Sequence, residues 1–412
     1  MYTRESSMTG QQDLTLSLSR LLEPDVLADP YPLYHRLQDE DSVHWDPFLH
    51  IWVVTCYSDV ITILTHFLAN RTPTPEQLIT MGLPKLAPIA KVLVRQMLFM
   101  DGASHARIRG LAATAFTPRR VEQMRSHIQD ITDRLLDAVQ ENGQMDVIAD
   151  LADPLPAIVT AELLGVPTSD WRQLTAWSTD FAEALGNFQH NPDHTNRVLH
   201  SLDEMYAYFR AAILEKQAHP GDDLISALLS AEKNGDRLSE EEVVANSIML
   251  MTGGQETTTN LIGNGTLTLL HHPDQLDLLR ADPSLVHTAI EEMLRYESPI
   301  QYTTRLTPGE VEMGGKTIPK GQAVIAAMGA ANRDPQRFPD PDRFDIRRQD
   351  NRHLAFAWAA HFCFGAPLAR LEAEIAFTSM LRRMPDLTLD LASPAWRDNL
   401  GFRGLTALPI SF

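Results

Sequence analysis

Cysteine is nearly absent from this 412-residue chain, which holds two, Cys56 and Cys363. That scarcity excludes a disulfide framework, and two thiols cannot by themselves make a four-ligand zinc site. Positive charge is short as well: 35 Lys and Arg face 54 Asp and Glu, for a formal net charge of −19. General nucleic-acid binding needs a basic footprint and is excluded, although an acidic whole can still carry a local basic face. No stretch approaches the roughly 18 uninterrupted apolar residues of a spanning helix. The polar start, Met1 to Gln12, lacks the basic-then-apolar layout of a signal peptide. These absences predict a cytoplasmic protein that stays out of the membrane, with residues 1–20 disordered. No internal repeat or low-complexity tract is found, and 44% hydrophobic residues suit a globular core.

What is present concentrates near the C-terminus, in Phe356-Ala357-Trp358-Ala359-Ala360-His361-Phe362-Cys363-Phe364-Gly365-Ala366-Pro367-Leu368-Ala369-Arg370. Pro367 suits the first turn of a helix, where its missing N–H has no intrahelical partner, and strong helix formers follow to Glu374. Cys363 is thus expected in a turn just before a helix N-terminus, whose free N–H groups and dipole stabilise a thiolate. A thiolate in an apolar shell can bind soft or borderline metal, haem iron included. On its own such a residue reads more simply as a buried structural thiol. The spacing adds more: the string resembles the cysteine-ligand loop of the cytochrome P450 family, F-G-x-G-x-H-x-C-x-G, matched by Phe356, His361, Cys363 and Gly365. Ala357 and Ala359 stand where that pattern has glycine. Alanine disfavours left-handed backbone, so a shifted loop is expected there.

Length alone suggests two or three domains. Asp29 reads as the cap of a short helix through Leu33 and Leu37. Val43–Asp46 and Ile51–Thr55 read as paired strands, with Cys56 packed at the end of the second. The proline-broken stretch from Asn70 to Met100 reads as an irregular connection. Helical periodicity dominates over Val121–Val139, Leu151–Leu164, Trp171–Leu185 and Arg197–Gln217, punctuated by Gly165-Val166-Pro167 and by a patch from Asn187 to Asp193.

Ser239-Glu240-Glu241-Glu242 is a capping-type start to a long apolar segment ending near Leu270. Its middle, Met251-Thr252-Gly253-Gly254-Gln255-Glu256-Thr257-Thr258, has glycines and β-branched residues where a buried helix wants neither. Either the helix widens beside a cavity, with a freed carbonyl and a threonine hydroxyl, or the glycines allow close packing on a neighbour. The doubled His271-His272 points to two sides of a helix and reads as a C-terminal cap rather than a metal pair. His105 and Arg109 share a helical face and could bind an anion. Glu292 and Arg295 can meet on the helix running from Leu285 to Tyr296.

Each of these segments is similar to a P450 motif in the family's order: H-x-x-x-R, the oxygen-binding run A/G-G-x-D/E-T-T/S, E-x-x-R, then the cysteine loop. The resemblance implies a mainly α fold, with a long central helix over the haem, a helical bundle and small antiparallel or mixed β-sheets. It implies a single domain over 21–412. It makes Cys363 the iron ligand, with Gly365 and Phe356 beside it. His105, Arg109, Arg305 and His361 become the residues holding the propionates of haem b, and Thr257 with Glu256 the proton relay. Glu292, Arg295 and Arg343 become a structural triad. By the same resemblance Leu78, Met81, Leu83, Phe181, Leu185, Phe188, Met249, Gly253, Ile300 and Phe402 line a substrate pocket.

The implied activity is insertion of one atom of O2, by hydroxylation or epoxidation, into a lipophilic small molecule, first a macrolide or polyketide intermediate. Electrons would come from NAD(P)H through a ferredoxin reductase and a ferredoxin. The ferredoxin would dock on Arg109, Arg119, Arg120, Arg352 and Arg370, and the enzyme would be a monomer. The rival readings are a P450-like module that recruits carrier proteins or accepts carrier-bound substrate, and a peroxide-driven peroxygenase of fatty acids or terpenoids. A haem-based gas sensor would need an imidazole ligand and a signalling domain, neither indicated.

Overall fold

The computed structural model describes residues 16–186, 192–233, 235–390 and 394–412. Its axis is a 32-residue helix, Glu240–His271, roughly 48 Å long. Ser239 and Glu242 form a reciprocal capping box, and three glutamates in the first turn complement the dipole. At the other end His272 Nδ1 donates to the Thr268 carbonyl at 2.8 Å, the cap expected of the doublet. The helix is unbroken through the glycine–threonine run. Gly254 has the close-packing role: a Cβ there would lie 2.7 Å from Thr160 Oγ1. Gly253 does not, since a Cβ on it would meet nothing within 4 Å.

Six helices position the site, numbered in chain order: α1 (Gly102–Ala115), α2 (Pro154–Leu164), α3 (Trp171–Gly186), α4 (the long helix, Glu240–His271), α5 (Val286–Tyr296) and α6 (Ala366–Arg383). Helices α2, α3, α5 and α6 all pack on α4, and their apolar faces join one core cluster. A four-stranded mixed sheet flanks this bundle: β1 (Val43–Asp46), β2 (Ile51–Val54), β3 (Thr303–Leu306) and β4 (Ala323–Ala326), in the order β1-β2-β4-β3. The β1–β2 hairpin is antiparallel, and β2 pairs parallel with β4, Trp52 opposite Val324. Both inner strands are almost wholly apolar, as burial on two faces requires. Strand β3 closes the sheet against β4, with Arg305 opposite Val324.

Three expectations are corrected. Residues 16–20 are not loose: Leu16, Ser17 and Leu18 are buried, and Ser17 Oγ donates to Asp46 Oδ2 at 2.8 Å. The stretch from 70 to 100 is not irregular but holds short helices at Pro75–Thr80 and Ala87–Leu93, each with proline in the first turn, where it suits a helix. Cys56 is not strand but the N-cap of the helix Tyr57–His66. No helix among the described residues is long and apolar enough to cross a membrane.

Candidate active site

Between α4 and the loop before α6 lies a cavity of about 320 Å³. Cys363 faces it from below. Its amide donates to the Phe356 carbonyl at 2.8 Å, which pins the loop. Burial pushes the Cys363 thiol up, opposed by N–H groups of Gly365 and Ala366 at the start of α6 and by the Arg109 cation. The expected helix-terminus effect is thus present but outweighed. Such a sulfur becomes a thiolate when a cation takes the place of its proton.

Ala357 and Ala359 adopt φ of 57° and 55°. Both alanines thus take the left-handed conformation that alanine was expected to avoid, at about 1–2 kcal/mol each. The surrounding bonds outweigh that cost, among them Ala357 N–H to the Leu354 carbonyl at 2.8 Å and Phe362 N–H to that of Ala359 at 3.1 Å. Gly365, by contrast, has an ordinary φ of −83°. Its missing side chain leaves the space beside the sulfur open, with nothing within 4 Å of a Cβ built there.

The cavity wall opposite α4 is cationic. Arg305 is 1% exposed on β3; it donates to Thr303 Oγ1 at 2.8 Å, and its Nε has no partner among the described residues. His105 on α1 stacks on His361, ring centroids 4.2 Å apart, and its buried Nε2 is also unpartnered among the described residues. Burial, Arg305 and His105 hold His361 down to about 4, and burial and Arg109 lower His105. Both imidazoles are therefore neutral at physiological pH and offer N–H donors rather than charge. Arg109 donates to the Phe362 carbonyl at 2.6 Å. Arg71, which sequence reasoning missed, lines the same cavity.

This arrangement fits haem. A thiol facing the cavity, two orphaned donors on residues that line it and glycines bare of contacts suit a metal-bearing flat group with anionic edges. Cys363 would hold its iron; His105, Arg109, Arg305 and His361 would hold its carboxylates.

Thr257 lines the cavity, its Oγ1 donating to the Gly253 carbonyl at 2.7 Å. Glu256 is not brought beside it. Its side chain points out of the cavity and is buried against Arg397, with Nη1 to Oε1 at 2.8 Å. It also accepts from Thr179 Oγ1 and Asn260 Nδ2, each at 3.3 Å. Arg397 further reaches Asp153 at 3.5 Å. Burial and the Glu256 charge raise Asp153, although Arg397 works the other way. No spacing in the sequence tied 153, 256 and 397 together.

The clamp below the site is partly as expected. Arg295 and Glu292 are fully buried and doubly bonded, at 2.7 and 2.8 Å. Arg343 is not the third member: its side chain is 66% exposed, near Asp345. Arg348 is, with Nε 3.1 Å from Glu292 Oε1. Arg343 contributes only its carbonyl, which accepts from Arg295 and Arg348.

Of the predicted pocket residues, Phe181, Leu185, Met249, Gly253, Ile300 and Phe402 line the cavity, as do Phe356 and Gly365. Leu78, Met81 and Leu83 do not. Leu78 is buried elsewhere, and Met81 and Leu83 are 63% and 42% exposed on the turn after the helix Pro75–Thr80. Phe188 lies outside the described residues. The supposed basic docking face is largely neutralised: Arg120, Arg352 and Arg370 pair with Asp222, Asp350 and Glu291, while Arg109 faces the cavity. Arg119 is exposed.

Residues 80–385 match the family model described as Cytochrome P450. The chain is 41% identical to the cytochrome P450 monooxygenase PikC of Streptomyces venezuelae, over 94% of this chain and 92% of that protein. It is 40% identical to the biotin biosynthesis cytochrome P450 of Bacillus subtilis, over 94% and 97%. Among solved structures it is similar to P450BioI in complex with a hexadec-9Z-enoic acid-ligated acyl carrier protein. The TM-score is 0.89 and the identity 38%, with 94% of this chain and 99% of that one covered.

Proposed function

This chain belongs to the cytochrome P450 family and is a monooxygenase, and from that premise we propose that it hydroxylates or epoxidises a lipophilic small molecule of macrolide, polyketide or fatty acyl type. The observation that carries the substrate class is the wall facing Cys363: Phe181, Leu185, Met249, Ile300 and Phe402 make it apolar, the character of a site for lipophilic ligands. PikC and the P450BioI complex are guides to the chemistry, the one by its name as a P450 monooxygenase, the other by its acyl-carrier partner. A substrate presented on a carrier protein is the second reading, favoured by that complex.

Haem, when bound, supplies the redox chemistry that activates O2 and inserts one of its atoms into a C–H or C=C bond. Cys363 would hold the iron as a thiolate, and the N–H groups of Gly365 and Ala366 would moderate the charge on its sulfur. The other oxygen atom leaves as water, so two protons and two electrons are consumed. Thr257 Oγ1 holds a proton at the cavity wall. Glu256, with Arg397 and Asp153, forms a charged group behind it, and Asp153, at 23% side-chain exposure, reaches solvent. Protons would pass from that group to the hydroxyl by way of water. Electrons would come from NAD(P)H through a reductase and a ferredoxin.

Supplying a ferredoxin system, NADPH and labelled O2 with a panel of macrolides and fatty acids tests the proposal. One labelled oxygen per product is expected, and Thr257→Ala should divert electrons to peroxide. Turnover of none of the lipophiles, or an unchanged ratio of product to NADPH in that variant, would overturn the substrate class or the relay respectively.

A further inference from the structure

Arg71 follows the isolated bridge between Leu68 and Leu306 and faces the cavity from the chain entering the helix Pro75–Thr80. Its amide and its Nη1 both donate to the Ala69 carbonyl, at 2.8 and 3.2 Å, and its guanidinium lies over the Phe99 ring, 4.5 Å from the centroid. Among the described residues no carboxylate forms an ion pair with it. Asp101, the acid that acts on it, is already used: Oδ1 and Oδ2 accept from the amides of Ala69 and Asn70 at 3.1 and 2.8 Å, and Oδ1 lies 3.6 Å from His361 Nε2. Burial opposes its charge most, and Arg305 is near enough to act in the same direction. Together they bring Arg71 down to about 9, so it stays a cation at neutral pH.

A half-buried cation without a counter-charge is costly unless an anion joins it in the working protein. The two haem carboxylates would already have Arg109 and Arg305 as cationic partners and His105 and His361 as donors. Arg71 is a further cation on the same wall. We propose that Arg71 is a carboxylate-binding residue of the cavity, holding the acid group of a lipophilic substrate or adding a further grip on a haem carboxylate. The planar fork of arginine, braced on Phe99 and on the Ala69 carbonyl, suits either.

This rests on the reading that the cavity holds haem and a lipophile, and two measurements keep the ideas separable. In the first, the Soret band of haem-loaded protein is titrated with tetradecanoic acid and with its methyl ester. If the substrate arm holds, the acid binds more tightly than the ester, and Arg71→Gln loses about 10- to 100-fold in acid affinity while ester affinity stays. Arg71→Lys keeps part of the preference. In the second, haem transfer to apomyoglobin is timed. Transfer accelerated about tenfold or more in Arg71→Gln, with the acid-to-ester ratio unchanged, assigns the carboxylate to the cofactor. Neither quantity moving in a well-folded variant overturns the proposal. Failure of the wild type to hold haem would instead sink the reading beneath it.

Discussion

At the scale of single residues, two features decide how the site is held. Ala357 and Ala359 occupy left-handed backbone without being glycine, so each stores strain that a glycine would release. Replacing either with glycine is expected to stabilise the protein by about 0.5–1 kcal/mol, the relief being partly offset by the entropy of glycine in the unfolded chain. Urea unfolding of the haem-loaded single variants would show raised midpoints; unchanged or lowered midpoints would mean the alanines are not strained. Glu372 on α6 is the second. It is 1% exposed with Oε2 unpartnered among the described residues, and burial raises its pKa well above the ordinary 4.5. A carboxyl whose folded value is raised supports the fold below its unfolded value, and that support is lost as pH climbs through the folded one. Glu372→Gln should therefore gain in melting temperature over wild type as pH rises from 4 toward 8. A gain confined to acid pH would contradict this.

At the scale of elements, the clamp between α5 and the segment before the cysteine loop is held by Glu292, Arg295 and Arg348, with Asn351 Nδ2 also donating to Glu292 at 3.1 Å. Arg348→Ala leaves a wholly buried carboxylate short of a partner and should cost about 3 kcal/mol. Arg343→Ala keeps the carbonyl that matters and should change stability by less than about 0.5 kcal/mol. Chemical denaturation of both compares them directly, and equal losses would restore Arg343 to the clamp. Here the limits of the sequence are visible. Periodicity and capping gave α4, because Ser239 and Glu242 sit at the spacing a capping box needs. Nothing in Pro341-Asp342-Arg343-Phe344 told which arginine turns inward, since that depends on loop turns that bring position 348 back to α5. Spacing likewise could not show that Glu256 faces Arg397 while its neighbour Thr257 faces the cavity.

For the whole molecule, the site is a seam between two bodies. The helical core supplies α4 and the sulfur-bearing loop, and the mixed sheet supplies Arg305 and the segment that carries Arg71. Motif order along the chain was enough to anticipate the thiol and the long helix that faces it. The apolar turn at Met81 and Leu83 was misplaced because the fold of 70–100 is set by tertiary packing rather than by local pattern. The central claim is that Cys363 sulfur binds haem iron, and it is tested most directly by the optical spectrum of the reduced, haem-supplied protein under carbon monoxide. A Soret band far to the red of a globin's, lost in Cys363→Ala, is the expected result. A globin-like band in the wild type, or a red-shifted band that survives the substitution, would contradict it.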